Sequence, residues 1–474
     1  MRRWRERTAW WRGDWSPRPL AVVARLGRRA AVVRPGPRPV LVLPGLRALV
    51  LLLGLWALVA GPCGTAVAAD GWAERYGFTP GARTVEGAAG TAEAEQLDPG
   101  RTYRSALPEN GRLYYRLHLT ATDTAYVPVT AVPPADATVS ATDGIRVSVR
   151  DADGTPCSYA AARFGAGLSP RPVTALAERE AGKALCQGAG TYYLLVERLD
   201  AEGSGTAVSP QRWDLEIAPA TEPGPARPGP TTAPRAWDSA TPEPLTGEPR
   251  DRSGGTGFAS AEPVGQGVWQ TVLVPGETRF YKVPLDWGRH LHASADLGPS
   301  PGHGYVGGAL NLSLYNPVRG PVDDAALGYT GTGKTVALDP LPPVEYANRH
   351  AVPAGVTSVR FAGAYYLVVH LSEQMAGTFG RGPFGVTLRI RVDGRAHAGP
   401  GYAGSPEPAD VFTVTERDRE AALTGGTEDA DGTVMKLVAA GGIGLGTVLL
   451  LVLGGWTAAA RRAQTRVSAQ KPTA

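Results

Sequence analysis

One short pattern occurs twice in this chain, and it limits the possible folds more than any other feature. Gly190-Thr-Tyr-Tyr-Leu-Leu-Val196 matches Gly363-Ala-Tyr-Tyr-Leu-Val-Val369. Successive residues of a strand point to opposite faces, so Tyr192, Leu194 and Val196 share one face and Tyr193 shares the other with Glu197. In the second copy Val369 corresponds to Val196, and the next residue, His370, corresponds to Glu197. We expect the face that ends in Glu197 or His370 to reach solvent.

Three further elements recur in the same order around these segments. They are an aromatic residue eleven positions before an aromatic pair (Tyr103 and Tyr114-Tyr115; Trp269 and Phe280-Tyr281), an alternating strand (Gly144–Val149; Gly308–Leu314) and a closing strand (Trp213–Ile217; Val386–Val392). Short strands with period-two alternation, separated by Gly, Pro and Asn turns, are typical of β-sandwiches. The sequence therefore predicts two tandem all-β domains, at 90–218 and 256–393.

A proline-rich stretch separates the two predicted domains. Residues 219–255 contain 9 Pro in 37 positions, together with Thr, Ser, Gly and Glu. Such a composition buries little apolar surface and favours a semi-extended linker. We predict a linker here and, from the carboxylates before the apolar C-terminal run, an acidic stalk at 394–436.

The amino-terminal region has the pattern of an export signal. Residues 48–60 are an uncharged apolar run of 13, short for a membrane span but typical of a signal-peptide core. An Arg-rich stretch precedes this run, and Ala66-Val67-Ala68 follows it with the small residues that signal peptidase needs. We predict a signal peptide at 1–68, cleaved after Ala68 or Ala69; the alternative is an uncleaved anchor.

The carboxyl-terminal region has the pattern of a membrane anchor. Residues 437–460 are 24 consecutive uncharged positions, which as a helix would be about 36 Å long. The basic residues Arg461, Arg462, Arg466 and Lys471 follow it, so the predicted tail at 461–474 lies in the cytoplasm. Gly442 and Gly446 are spaced for helix-mediated self-association, but we favour the general glycine content of this helix as their explanation.

The net charge of +4 comes from the two ends of the chain. Residues 1–68 carry +10 and 461–474 carry +4, which leaves −10 for 69–460. An acidic exported region excludes a nucleic-acid binder. We expect the cell membrane as one partner, and an unidentified protein or cell-wall ligand as the other.

Two cysteines remain after the predicted signal is removed, Cys157 and Cys186. An even count in an exported domain favours a disulfide, which would close the 158–185 loop. Two free thiols or a metal-binding pair are the alternatives.

The segment Pro275-Gly276-Glu277-Thr278-Arg279-Phe280-Tyr281-Lys282-Val283, followed later by Gly363-Ala-Tyr-Tyr-Leu, resembles bacterial pre-peptidase C-terminal domains. Its continuation through Trp287-Gly288 is similar to surface proteins of high-GC actinobacteria. The resemblance implies jelly-roll-like accessory or binding domains and no catalytic domain in the chain itself.

Two apparent catalytic motifs lack the context that they need. Gly328–Thr335 fits a phosphate-binding loop, but Pro340, Pro342 and Pro343 follow too soon for the helix that would cradle a phosphate. Gly298-Pro-Ser300-Pro-Gly302 fits the G-x-S-x-G pattern, but Pro301 has no backbone N–H for an oxyanion hole. We expect neither motif to be functional.

His290 and His292 share a strand face with Ser294 and Asp296. This spacing is compatible with a metal, but a solvated strand face explains the same pattern and is the interpretation that we favour. We predict no catalytic, cofactor or metal residues, and a non-enzymatic, single-pass surface protein with its amino-terminal region outside. The alternatives are an exported, membrane-anchored hydrolase and an accessory subunit of a membrane complex.

Overall fold

The computed structural model describes residues 76–109, 111–199, 211–234, 236–243, 245–424 and 456–457. Within them the chain forms 21 strands and only short helices, so the prediction of an all-β protein is confirmed. The predicted signal peptide, all but two residues of the predicted membrane helix and the predicted tail lie outside the described residues. No helix among the described residues has the length and apolarity that crossing a membrane requires.

The first sandwich consists of two sheets built from residues 83–222. Its strands are β1 (Arg83–Thr84), β2 (Gln96–Leu97), β3 (Tyr103–Leu107), β4 (Arg112–Leu119), β5 (Thr124–Val132), β6 (Gly144–Arg150), β7 (Pro156–Arg163), β8 (Val173–Arg179), β9 (Gly190–Leu199), β10 (Trp213–Ile217) and β11 (Ala220–Glu222). One sheet has the order β1-β3-β10-β5-β11, with β8 also paired to β5, and the other has the order β2-β4-β9-β6-β7.

The second sandwich is built from residues 250–394. Its strands are β12 (Arg250–Asp251), β13 (Glu262–Pro263), β14 (Gly267–Leu273), β15 (Thr278–Leu285), β16 (Arg289–Leu297), β17 (Val306–Tyr315), β18 (Pro321–Tyr329), β19 (Lys334–Ala337), β20 (Gly363–Leu371) and β21 (Phe384–Gly394). The sheet orders are β12-β14-β21-β16-β19 and β13-β15-β20-β17-β18. Short α-helices follow β19, β20 and β21 in the chain: α1 (Ala354–Thr357), α2 (Met375–Phe379) and α3 (Glu416–Thr424).

The two sandwiches have the same strand order. The eight main strands are β3 to β10 in the first sandwich and β14 to β21 in the second. Numbered from 1 to 8 along the chain, they form one sheet of order 1-8-3-6 and one of order 2-7-4-5 in both sandwiches. The Tyr-Tyr segments occupy equivalent positions, because β9 and β20 are each the seventh main strand. The repeated aromatic residues Tyr103 and Trp269 likewise lie in the first main strand of their own sandwich.

Each sandwich has its own apolar core between its two sheets. Trp213 and Tyr103 are fully buried in the first core, and Trp269 and Tyr281 are fully buried in the second. The phenol of Tyr103 accepts a hydrogen bond from the Asp98 amide at 2.8 Å. Of the recurring aromatic residues, Tyr103, Tyr115, Trp269 and Tyr281 lie in a core, whereas Tyr114 and Tyr193 are half-buried. The bond to Tyr103 gives a buried phenol oxygen a partner inside the fold.

The segments outside the predicted domains contain structure of their own. The range predicted as a linker, 219–255, contains β11 and β12, and the range predicted as a stalk, 394–436, contains α3. Phe412 is buried beside Tyr126 of the first sandwich and Phe361 of the second. Burying the ring of Phe412 removes a large apolar area from water. This gain orders a segment whose polar composition by itself favours an extended chain.

Candidate functional site

Three ion pairs join the two sandwiches, which belong to one compact unit at Ala69–Ala474. In each pair a glutamate of the first sandwich accepts a hydrogen bond from an arginine that lies between two strands of the second sandwich. The pairs are Glu216–Arg319 at 2.5 Å, Glu222–Arg349 at 2.8 Å and Glu178–Arg360 at 2.5 Å. One partner of each pair is buried and the other is partly exposed. Because opposite charges this close and this shielded from water are hard to separate, they fix one sandwich against the other.

A buried histidine lies at the same junction. His370 of β20 is 2% exposed, and its two ring nitrogens lie 2.9 Å from Thr278 Oγ1 and 2.9 Å from Ser169 Oγ. Burial, with a smaller contribution from the charge of Arg171, lowers the pKa of His370 to about 3. The expectation that this strand face reaches solvent at His370 is therefore wrong, because Ser169 of the first sandwich covers it.

The segments that flank the sandwiches cross the same junction. Before the first sandwich, the Tyr76 hydroxyl donates to Glu216 at 3.1 Å, and the Gly77 amide donates to the Thr256 carbonyl at 3.0 Å. After the second sandwich, the Tyr402 hydroxyl donates to Glu222 at 3.0 Å. Both flanking segments thus bind carboxylates that also hold the arginines of the second sandwich.

An open cleft of about 870 Å³ lies where the two sandwiches and the flanking segments meet. The first sandwich and the segment before it contribute Phe78 and Pro128, the second contributes Lys282 and Tyr366, and α3 contributes Asp418. A cleft of this size, with apolar walls and a few charged groups of both signs, is of the kind that binds ligands. Neither sandwich forms it alone.

The two motifs that resemble catalytic loops are turns in the structure. Gly328–Thr335 runs from the end of β18 to the start of β19 with no helix after it, and Lys334 Nζ donates to the Gly328 carbonyl at 3.0 Å. The Ser300 hydroxyl donates to the Pro301 carbonyl at 3.2 Å, and the Ser300 amide donates to the Gly331 carbonyl at 3.0 Å. Lys334 and Ser300 thus bond to carbonyl groups within or between the two turns.

Histidines on β16 lie near a carboxylate that the sequence analysis did not include. His290, His292 and Asp393 are half-buried. One ring nitrogen of each histidine and one carboxylate oxygen of Asp393 all lie within 4.8 Å of one another. Asp296 instead accepts hydrogen bonds from Thr335 and Arg389. The sequence places His290, His292 and Asp296 on one face, but only the pairing of β16 with β21 brings Asp393 there.

Partial burial lowers the pKa of His292, and the neighbouring His290 lowers it further. The rings of His290 and His292 are 5.0 Å apart and nearly edge to face. Burial and the neighbouring His290 thus both favour the neutral imidazole of His292, which is the form that can ligate a metal.

The predicted disulfide between Cys157 and Cys186 is confirmed, with Cα atoms 5.5 Å apart. It joins β7 to the segment before β9. The intervening residues 158–185 contain most of β7 and all of β8, so they are not the loop that the sequence predicts. Arg179 Nε donates to the Cys186 carbonyl at 3.0 Å and further fixes this end of the first sandwich.

Comparisons with known proteins give similarities of low identity. No protein-family model matches this sequence, and no curated protein matches it. The solved pre-peptidase C-terminal domain of a collagenase from Bacillus anthracis is 14% identical, with 27% of this chain and 94% of that chain covered and a TM-score of 0.17.

Two tandem-domain structures are similar at the same level. The CBM22-1–CBM22-2 tandem domain of Xyn10C from Paenibacillus barcinonensis is 12% identical, covers 62% of this chain and 92% of its own, and has a TM-score of 0.16. The CUB1-EGF-CUB2 domain of human MASP-1/3 is 7% identical, covers 61% and 99%, and has a TM-score of 0.14. At these values the likenesses carry no argument about what this chain does.

Proposed function

We propose that this chain is a non-enzymatic, membrane-anchored surface protein that binds its partner through two tandem jelly-roll-like sandwiches. The strand orders 1-8-3-6 and 2-7-4-5 are those expected of eight-stranded jelly rolls and support that assignment. The Cys157–Cys186 disulfide supports an oxidising compartment, because such bonds persist mainly outside the cytoplasm.

The topology that we propose rests on the sequence of the two ends. The apolar run 48–60 would direct export, and the run 437–460 would leave a single helix in the membrane with residues 461–474 in the cytoplasm. The resemblance to actinobacterial surface proteins is in keeping with this arrangement.

The cleft between the sandwiches is the observation that carries the binding function. Both sandwiches and both flanking segments contribute walls to it, and buried ion pairs hold those walls in place. A binding site whose shape is fixed before the partner arrives loses little conformational freedom on binding. We propose a protein or a cell-wall polymer as the occupant, because both present the mixture of apolar and charged groups that the cleft could match.

Capture of the partner by the intact, membrane-anchored chain would test this proposal. We expect crosslinking on cells to retain a partner with the wild type, and about tenfold less of it with Ala364→Arg, which places a long charged side chain in the cleft. Arg146→Glu is the matched control, since Arg146 is exposed on β6 and does not line the cleft. Equal capture by the wild type and Ala364→Arg would contradict a role for the cleft.

Accessibility of the two ends tests the topology separately. An epitope added after Ala474 should be protected from protease on intact cells, whereas the sandwiches should be digested. Digestion of the epitope on intact cells would contradict the proposed orientation.

A hydrolase is the rival proposal, and one contact is relevant to it. Ser169 Oγ lies 2.9 Å from His370 Nε2, but the Ser169 side chain is fully buried and the other ring nitrogen bonds Thr278, where a hydrolase would place a carboxylate. Peptidase or esterase activity that is lost in Ser169→Ala, with unchanged thermal stability, would support the rival.

Association through the predicted membrane helix is the third proposal. Crosslinking of the full chain in membranes should give the same oligomer bands for the wild type and Gly446→Leu if the chain acts without helix pairing. Loss of a band in Gly446→Leu would instead favour a subunit of a membrane complex.

A further inference from the structure

His290 and His292 present two imidazoles on one face of a regular strand. They lie two positions apart in β16, while their neighbours Leu291 and Ala293 are buried in the core on the other face. Because β16 pairs with β21 along nine residues, its backbone is firmly held at this point. The two rings therefore have a fixed base from which to meet a ligand.

The strand register brings a carboxylate to the same face. His290 lies directly opposite Asp393 in the antiparallel β16–β21 ladder, and His292 lies opposite Arg391. Directly opposed residues point to the same side of a sheet, with Cβ atoms about 5 Å apart. One potential ligand atom from each of His290, His292 and Asp393 falls within 4.8 Å of the others.

One imidazole nitrogen in this group has no partner among the described residues. His290 Nδ1 is buried from solvent and forms no hydrogen bond there. A buried polar atom of this kind requires a partner, and an ion is one of the partners that can satisfy it. Asp393 differs from Asp296 on the same sheet: Arg389 Nε donates to Asp296 at 2.8 Å, whereas among the described residues the ion pair of Asp393 is with Arg391 Nε at 4.0 Å.

We propose that His290, His292 and Asp393 bind a divalent transition-metal ion of the Zn²⁺ type. Two imidazoles and one carboxylate are a donor set that such ions favour, whereas Ca²⁺ and Mg²⁺ prefer oxygen ligands throughout. Tetrahedral coordination at about 2.0–2.1 Å places ligand atoms about 3.3 Å apart. Side-chain rotation by the three residues closes the remaining gap, and a solvent molecule completes the coordination.

Arg391 is the charged group that opposes binding at this site. Its Nε lies 4.0 Å from the Asp393 carboxylate, and its Nη2 donates to the Glu243 carbonyl at 3.1 Å, so the guanidinium is held beside the proposed ligands. A fixed positive charge repels a cation and competes for Asp393. Removing that charge should therefore strengthen metal binding, provided that Asp393 is a ligand.

Zinc titration of the full-length chain in detergent, against a competing chromophoric chelator, tests the site. We expect one equivalent of Zn²⁺ to bind to the wild type, and about tenfold weaker binding or more in His290→Gln, His292→Gln and Asp393→Asn. His118→Gln and His303→Gln are matched controls, since both histidines are exposed elsewhere on the sandwiches. Co²⁺ bound to the wild type should show visible absorption bands that the site variants lack.

The Arg391→Gln variant should bind Zn²⁺ several times more tightly than the wild type. Thermal unfolding of each metal-free variant, compared with the wild type, separates loss of a ligand from loss of the fold. Zinc affinity that is equal in the wild type and the three site variants would overturn the proposal. An affinity that is unchanged or lower in Arg391→Gln would contradict the placement of the ion beside this guanidinium, and a wild-type affinity in Asp393→Asn would overturn the assignment of Asp393 as a ligand.

Discussion

Buried carboxylates at the junction are the residues on which the arrangement of this molecule most depends. Glu216 is fully buried, and it binds Arg319, the Tyr76 hydroxyl and the Thr79 amide. A charge removed from water in this way is stable only while its partners remain. The same strand, β10, also carries Asp214, which pairs with Arg104 in solvent.

The two ion pairs of β10 therefore predict losses of stability of different size when the arginine of each pair is replaced by methionine. Arg319→Met should lower the free energy of unfolding by about 3 kcal/mol or more, because Glu216 would be left buried without its counter-charge. Arg104→Met should change it by about 1 kcal/mol or less, since that pair is exposed. Chemical denaturation of both variants measures the difference, and similar losses would contradict the role of the buried pair.

His370 links stability to pH at the same junction. Its pKa in the folded protein is about 3, below the ordinary value near 6.5, so the unfolded chain binds a proton in a range of pH where the folded chain does not. The stabilisation from the neutral ring is complete above pH about 6.5 and is lost as the pH falls toward 3.

Replacing His370 by glutamine should remove this dependence. Below pH about 6.5 the free energy of unfolding of the wild type should fall by about 1.4 kcal/mol per pH unit relative to that of His370→Gln. The stability advantage of the wild type should therefore shrink as the pH falls. Denaturation curves recorded from about pH 8 to about pH 4.5 measure it. His350→Gln serves as the control because His350 is exposed, and parallel pH profiles for the wild type and His370→Gln would refute the assignment.

At the scale of elements, alternation in the sequence predicted strands well where one face is buried. β9 and β20 begin at the glycines of the repeated segments, and β16 alternates as its sequence indicates. Strands without clear alternation were not predicted: β7 and β8 lie in the range that had been assigned to a loop. Their pairing with β6 and β5 depends on distant residues, which a local pattern does not contain.

The disulfide holds β7 to the segment before β9, so its removal should act mainly on the first sandwich. Its cysteines are 29 residues apart, and opening a loop of that size should destabilise the first sandwich by about 3–4 kcal/mol. Cys157→Ala/Cys186→Ala, compared with the wild type by hydrogen exchange, should show faster exchange in β6 and β7. A uniform change in both sandwiches, or none, would contradict this expectation.

At the scale of the whole molecule, the two sandwiches share a junction that contains more than surface contacts. In the described part of the chain, three partly buried ion pairs, the His370 hydrogen bonds and the stacked rings of Phe361 and Phe412 lie between them or beside them. Such a junction resembles the interior of one domain more than a flexible tether between two.

Calorimetry of the full chain should therefore show one unfolding transition for both sandwiches. Arg319→Met/Arg349→Met/Arg360→Met removes all three counter-charges and should separate the transition into two. The control Arg104→Met/Arg112→Met/Arg116→Met replaces three exposed arginines and should keep a single transition. Two transitions in the wild type would show that the sandwiches unfold independently.

The sequence by itself determined the all-β class, the positions of the repeated strands and the disulfide pair. Each of these follows from local alternation, turn residues or a count, and needs no knowledge of distant neighbours. Only the tertiary structure decided that His370 is buried, that Asp393 meets His290 and His292, and that glutamates of one sandwich pair with arginines of the other. These outcomes depend on strand register and on the packing of one sandwich against the other, which brings Ser169 and His370 together although they are 201 positions apart.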